Sequence, residues 1–587
     1  MFKVPRFLFL FLALVVSFVL VNKTAHYQKD QKRRVRQEKL AHPVALQKSF
    51  VIVIRSYNNA DWYEKNLRSV FEQKYDNYRV IYIDDASKDH TSDLVKSYIA
   101  KMGKEEKVSL IRNENNLGAS ANLYFAAHSC SDGEIIVLLD GDDWLAHDEV
   151  LKKLNEVYAD PNVWMTYGSY VTYPAYERGV YARELPEKVV QKNQIRKFVK
   201  NELWPLSALA TFYAELYKEI RLRDCLFEGR FFDAAADVAF MVPLAEMAGR
   251  RAKYLDEVLY IYNRATALND DKLKAKRQFL CSRHVVAQKP YKPLEALPKH
   301  VMTEGDKADL VIFSFDRPMP LLATLESIAK FVVGVDKISV IYRSSDPLFE
   351  VGYQRVRECF KDVVFIKQGD SPHEDFKPLL LSTVYNGGAQ YVVFAVDENI
   401  VTDQIDLTTG AAALQMSKAH GFYYRLGKHI DSSYVFDLNQ GIPPLNVLSK
   451  QVLAWNFSQG KGDWRFPNNV EFTLYDKKNI EKNLRSLQYK HPRSLESQWS
   501  RKHKINKVGL CYDSAKIINI PLCCRLQDCH MMYYSSIELL EKFQTGLKID
   551  ISPLYQIKSR TTHVEFNPHF VAFHEDLEQS SAHSRSK

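Results

Sequence analysis

The chain has 587 residues, 46% hydrophobic, 12% aromatic and 26% charged, with a formal net charge of +9. That length and apolar content exceed one ordinary domain and allow a large core without disulfide or metal staples. The modest positive charge, much of it near the N-terminus, argues against a nucleic-acid protein, and eight cysteines in no repeating framework suit a reducing compartment.

The first segment stands outside any fold. Residues 7–21, FLFLFLALVVSFVLV, are apolar apart from Ser17. Such a helix rises about 22 Å. Val4, Pro5 and the snorkelling side chains of Lys3, Arg6 and Lys23 extend it toward the ~30 Å hydrocarbon core. The following VNKTAH offers no good small-x-small cleavage site, so residues 7–21 read as an uncleaved transmembrane anchor behind a tail at 1–6, rather than a cleaved signal. Lys23, Lys29, Lys32, Arg33, Arg34, Arg36 and Lys39 follow it. By the positive-inside rule the bulk of the chain then faces the cytoplasm, with a lumenal type II orientation as the alternative.

Residues 22–47 are polar and aperiodic, a basic linker. Strands and helices then alternate. FVIVIRSYNN (50–59) reads as a strand, and residues 61–74 carry Leu67, Val70 and Phe71 at helical spacing. YRVIYIDDAS (78–87) is a second strand ending in Asp84 and Asp85; residues 91–102 are a helix. VSLIRNENNLGASANL (108–123) gives a strand, a glycine-bearing turn and a helix start, and EIIVLLDGDDWL (134–145) a strand that runs straight into Asp140, Asp142 and Asp143. Continuous apolar strands alternating with helices predict an α/β fold with a parallel sheet covered on both faces. Ligands of such sheets bind beyond the carboxyl ends of the strands, where these five acids converge.

The acids carry the chemistry. No G-x-G-x-x-G, phosphate loop or G-x-S-x-G elbow is present. Several carboxylates without a glycine cradle suit Mg²⁺ or Mn²⁺, which takes one or two carboxylates and keeps positions for phosphate oxygens. An isolated D-x-D is more often an acidic turn with a helix cap. The neighbouring Asp84 and Asp85 tip the reading toward a site.

Residues 49–268 resemble an inverting glycosyltransferase of family 2, with the GT-A fold. VIVIRSYNN resembles its opening strand, IDDASKDHT its uridine-binding acids, Asn116 to Asn122 (NLGASAN) its N-x-G turn, and DGDD its D-x-D. The resemblance implies a nucleotide sugar as donor, Mn²⁺ or Mg²⁺ as cofactor, and a glycan, lipid or protein acceptor. Asp84 and Asp85 would face the nucleobase, Asp140 would lie near ribose and metal, and Asp142 would bind the metal. One departure touches the nucleotide contacts: the usual Pro-Thr of the first loop is Arg55-Ser56. The base for the acceptor hydroxyl is expected at Asp237, opening the helix in FFDAAADVAFMVPLAEMAG (231–249), with Asp233 as rival. Q-x-x-R-W is absent, which favours transfer of one sugar over polymer synthesis. The other reading is a sugar- or nucleotide-binding scaffold without catalysis.

Three prolines mark 286–306 as a linker between a first domain at 48–285 and a second at 307–573. DLVIFSFDRP (309–318), KISVIYRSSD (337–346), DVVFIKQGD (362–370) and QYVVFAVDENIV (390–401) repeat the strand order. This predicts two GT-A-like domains in tandem. In the repeat D-x-D reads as Asp397-x-Asn399, and the paired acids as Arg343-Ser344-Ser345. Cys523, Cys524, Cys529 and His530 lie close without a C-x-x-C pair, and packing is the favoured reading; His563 and Glu565 read as an edge strand rather than ligands. The tail 574–587 is polar. Sequons stand at Asn22 and Asn456.

Overall fold

A computed structural model describes residues 47–201, 204–266, 270–300, 307–434, 438–449, 451–501, 507–522 and 534–573. The expected anchor at 7–21, nearly all of the basic linker, the Cys523–His530 group and the tail 574–587 lie outside them. No helix among the described residues is long and apolar enough to cross a membrane.

The first half is built on an eight-stranded sheet. Its strands are β1 (Phe50–Ser56), β2 (Tyr78–Asp84), β3 (Val108–Arg112), β4 (Ile135–Asp140), β5 (Trp144–Leu145), β6 (Met165–Tyr173), β7 (Thr211–Tyr213) and β8 (Ala252–Asn263), in the order β3-β2-β1-β4-β7-β6-β8-β5. β1 through β4 are mutually parallel. β7 runs antiparallel between β4 and β6, and β8 is parallel to β6. The unbroken apolar runs of β1 and β4 are buried along their length because helices cover both faces. Among them are α1 (Tyr63–Phe71), α2 (Thr91–Lys101), α3 (Ala119–Ser129), α4 (Ile195–Asn201) and α5 (Ala236–Ala248).

The second half carries a nine-stranded sheet. Its elements are β9 (Ala308–Phe315), β10 (Val335–Arg343), β11 (Val364–Lys367), β12 (Tyr391–Val396), β13 (Asn399–Val401), β14 (Gly421–Tyr423), β15 (Asn446–Val447), β16 (Val452–Asn456), β17 (Thr473–Asp476), helix α6 (Pro492–Arg501), β18 (Val508–Tyr512) and β19 (Ile517–Asn519). The order is β11-β10-β9-β12-β17-β14-β18-β16-β15. Strand for strand its first seven repeat the first sheet, including an antiparallel β17 between β12 and β14 and a parallel β18 beside β14. β13 pairs antiparallel with β19, as β5 does with the end of β8.

One hydrophobic core runs through both halves, taking in Leu138 and Val242 of the first and Leu310 and Ala395 of the second. Polar ties add to it. Asn446 donates to the Gly229 carbonyl (2.6 Å), and Glu219 accepts from Lys418 (2.6 Å) and pairs with His300 (3.0 Å). Burial would raise the Glu219 carboxyl, but His300 and Lys418 outweigh it and hold it down to about 2.

α5 is buried almost all round, and the first half anchors it with a bidentate pair: Arg196 of α4 donates to Glu246 of α5 at 2.8 and 3.0 Å, both side chains being buried. Removing one partner of such a pair strands a buried charge, at about 3–5 kcal/mol. Glu246→Ala should therefore lower stability by that order in urea unfolding, and Arg196→Met in the same chain should restore part of it. A single Glu246→Ala chain with unchanged midpoint would show that the pair does not anchor α5.

Candidate active site

The acids of the first half gather where β1, β2 and β4 end. The β1–β4 ladder closes with the Gly141 N–H on the Arg55 carbonyl. Asn66 of α1 then clamps the acid turn from below, its amide donating to the carbonyls of Asp140 (2.9 Å) and Asp143 (2.7 Å). Gly141 is required by packing, since a Cβ there would lie 2.6 Å from the Asn59 amide and 2.7 Å from Ser56. Asp143 faces inward and is fully used: it accepts from the Asn263 N–H (2.7 Å) and the Tyr260 hydroxyl, tying the turn to the end of β8.

A positive group among these acids comes from the chain itself. The guanidinium of Arg55 pairs with Asp140 and donates to the Ala119 carbonyl (3.4 Å), while its buried Nε has no partner. Register explains the pair: Arg55 lies directly beside Asp140 in the parallel ladder. The residue that breaks the family pattern in the first loop is thus the counter-ion of the acid turn. Sequence reasoning marked Arg55 as a departure and missed this role. A parallel pairing of β1 with β4 was the signal that could have found it.

Arg55 pairs directly with Asp140, and its charge only partly offsets the rise at Asp142. Among the described residues no side chain pairs with Asp142, whose carboxyl is pushed up to about 7 by burial and then by Asp140. A carboxylate so destabilised fits a divalent cation. No group of three or more His, Cys, Asp or Glu is disposed to hold one among the described residues. The protein's donors to such an ion would be Asp142 and Asp140, the latter about half exposed, with phosphate or water completing the shell.

The two acids of β2 divide. Asp85 is spent on the chain, accepting from Asn113 and from the N–H groups of Leu117 and Gly118, each at 2.8 Å. It builds the N-x-G turn, which Asn116 (donating to the Asp85 carbonyl) and Asn122 (accepting from Asn113) complete. Asp84 is buried, and neither of its carboxylate oxygens has a hydrogen-bond partner; Arg112 stands 3.8 Å away. Of the pair, Asp84 is the one with acceptors to offer a ligand's N–H.

Asp237, second residue of α5, stands exposed beside this turn. Crowding by the surrounding protein raises its carboxyl above the ordinary range, with Asp140 adding and Arg55 opposing. Asp233 is turned away: it forms an ion pair with Arg277 (2.9 Å) and its carbonyl accepts from Lys274.

The second half differs at each of these places. Aligned on the bond that closes each ladder, Gly141 to Arg55 and Asp397 to Phe313, the register sets Val396 on Asp140 and Glu398 on Asp142. One strand over, Tyr342 and Arg343 fall on Asp84 and Asp85. The expected Asp397-x-Asn399 match is therefore one residue out of step, and so is the match of Arg343-Ser344-Ser345 to the paired acids. Asn399 closes the turn instead, accepting from the Val396 N–H (2.9 Å). Arg317 bridges Glu398 (2.8 Å) and Asp397 (3.4 Å). His563 and Glu565 form no named strand; His563 makes an isolated bridge with Asn519.

Comparison with known proteins agrees with the first half. Residues 51–219 match the model of glycosyl transferase family 2. Among curated relatives, the bifunctional glycosyltransferase pgtA of Dictyostelium discoideum is 31% identical over 186 residues, 28% of this chain and 23% of that protein. Glycosyltransferase GlyA of Streptococcus pneumoniae is 24% identical over 221 residues, 36% of this chain and 30% of that protein. The chain thus spans less than a third of the length of either. Among solved structures, Staphylococcus aureus TarS 1–349 aligns at 18% identity and TM-score 0.31 over 42% of this chain and 67% of TarS 1–349. The mannosyltransferase PcManGT of Pyrobaculum calidifontis, solved with GDP-Man and Mn²⁺, aligns at 19% and 0.31 over 47% and 77%. The first half contains a family 2 glycosyltransferase domain.

The uncompensated Asp142 sets a pH signature in metal-free protein. Its folded carboxyl titrates above the unfolded value, so the anion opposes folding once pH exceeds about 4, and fully above about 7. Asp142→Asn in chelator-treated buffer should raise stability at pH 7.5 by roughly 1–3 kcal/mol, and by little at pH 4. Thermal unfolding at the two pH values reads this directly; equal shifts at both would mean that Asp142 is not a destabilised anion.

Proposed function

We propose that the chain is a glycosyltransferase whose N-terminal half moves a sugar from a nucleotide-diphospho-sugar to an acceptor hydroxyl with inversion. The observation that carries this reading is the asymmetric acid turn: Arg55 holds Asp140 while Asp142 is left without a counter-ion. A Mn²⁺ or Mg²⁺ ion held by Asp142 and Asp140 would supply charge neutralisation for the diphosphate leaving group. Asp84, with free buried acceptors, offers a hydrogen bond to a nucleobase N–H.

Arg55 orients Asp140 and keeps positive charge at the site before any donor arrives. Asp237 stands at the opening of α5, exposed to an incoming acceptor, and its raised carboxyl suits removal of a hydroxyl proton as the new bond forms. Acceptor identity, whether glycan, lipid or protein, is open to the same chemistry. In this reading the second half does not transfer sugar, since Arg317 already occupies the carboxylates that would meet an ion.

From the sequence, residues 7–21 anchor the enzyme in a membrane, and both halves face the cytoplasm, where nucleotide sugars are made. Protease added to sealed vesicles should leave the bulk of the chain uncut, and in a eukaryotic host Asn456 should carry no glycan. Digestion from outside, or a glycan on Asn456, would place the halves on the other face.

Two substitutions test the site. Asp142→Asn should reduce metal-dependent release of nucleoside diphosphate from nucleotide sugars by orders of magnitude; near-normal turnover at limiting Mn²⁺ removes Asp142 from the site. Asp237→Asn should cut transfer by about 10²–10⁴-fold and leave nucleotide affinity intact. If affinity collapses too, Asp237 is not the base.

A further inference from the structure

The second half holds a cluster that its lost acid turn does not use. Arg425 follows β14, and Glu471 lies just before β17, whose first residue Thr473 pairs with Phe394 near the exit of β12. These positions put the cluster on the sheet edge that carries the acid turn in the first half. Arg425 pairs with Asp463 (2.9 Å) and Glu471 (3.5 Å), and His563 with the other oxygen of Glu471 (3.5 Å). Tyr434 stacks on His563, ring centroids 5.9 Å apart. Glu496 of α6 is close enough to Glu471 for the two carboxyls to repel.

Two features set this apart from a closed structural ion network. The side chains are deep without being sealed, at 11% exposure for Asp463, 15% for His563 and 19% for Glu471. One oxygen of Asp463 and the Nε of Arg425, both on buried residues, have no hydrogen-bond partner. A buried polar atom left unpaired costs about 1–3 kcal/mol; these two atoms lie out of solvent's reach, so a ligand would meet the partly exposed side chains of Glu471, Asp463 and His563 instead.

The chemistry narrows the ligand. Three carboxylates against one guanidinium and one imidazole disfavour phosphate and other anions. A divalent ion is disfavoured by Arg425, which already bridges two of the acids. A nucleotide loses its acids to Tyr342 and Arg343. What remains is a neutral ligand rich in hydroxyl donors, with an apolar face for an aromatic surface. Glu471, held down to about 2 because His563 and Arg425 outweigh its burial, is an acceptor. Glu496, pushed up to about 7 by burial and then by Glu471, can also donate.

We propose that this recess binds one unit of an uncharged saccharide, its hydroxyls on Glu471, Glu496 and Asp463 and its ring face beside Tyr434 and His563, without nucleotide or metal. The C-terminal half is then a carbohydrate-binding domain on a transferase-type sheet. The binding step does not depend on transfer by the first half, so the two readings fail separately.

Saturation-transfer difference NMR on the full chain tests this. The probes are the methyl glycosides of glucose, galactose, mannose and N-acetylglucosamine, at millimolar concentration in chelator-treated buffer. At least one glycoside should receive saturation, and Asp142→Asn should leave that unchanged. Glu471→Gln should weaken its affinity by about tenfold or more. Tyr434→Ala, which leaves the buried ion pairs intact, should weaken it as well. The proposal is overturned if no glycoside responds, if the response survives both substitutions, or if it is lost in Asp142→Asn. It is equally overturned if a lysine-containing tripeptide displaces the signal at lower concentration than any sugar, which would make the recess an amine site.

Discussion

Everything at the N-terminal sheet edge depends on one electrostatic constraint: the carboxylates of Asp140, Asp142 and Asp143 share a single turn. The chain solves it three ways at once. Asp143 is buried in hydrogen bonds from Asn263 and Tyr260, Asp140 is paired with Arg55, and Asp142 is left over. Both of the first two are local; at Asp143 burial, with Asp142 and Asp140 adding, still drives the carboxyl well above the ordinary range against those hydrogen bonds. The third leaves a buried acid that ordinary folding would avoid, and it is what gives the turn a use. Asn66 and Gly141 are there to hold the geometry in which that imbalance persists.

The second half meets the same constraint differently. Its turn keeps acids at Asp397 and Glu398, and Arg317 reaches both, although burial still raises the Asp397 carboxyl. A single cation that reaches one acid in the first half reaches two in the second. Tyr342, Arg343 and Val396 stand where Asp84, Asp85 and Asp140 stand in the first half, and a separate ionic cluster forms at Arg425, Glu471 and His563. The shared hydrophobic core and the Glu219 contacts bind the second half to the first.

The fold was legible in the sequence wherever the apolar runs were continuous. β1, β2, β4, β9 and β12 begin within a residue of the expected stretches and stop where the quoted stretches turn polar, because a strand buried on both faces leaves no ambiguity of period. The repeat itself was legible from strand order. Its register was not: Asn399 was aligned with a metal ligand because the letters D-E-N resemble D-x-D, whereas ladder pairing places Glu398 there. Asp85 was expected to face a ligand, yet it builds the Asn113–Gly118 turn; only hydrogen-bond geometry separates it from Asp84. Arg55 and Glu471 were missed for one reason. Each acts through a neighbour in space that is far away in sequence, and no local spacing reports such a pair.

If the proposed site is right, the two halves, alike in topology, differ in donor binding because of where one arginine sits. Isothermal titration of the full chain with UDP and with GDP, in the presence of Mn²⁺, tests it most directly. One nucleotide should bind per chain, lost in Asp142→Asn and unaffected by Glu398→Gln. Two nucleotides per chain, or a single one that survives Asp142→Asn and disappears with Glu398→Gln, would contradict it.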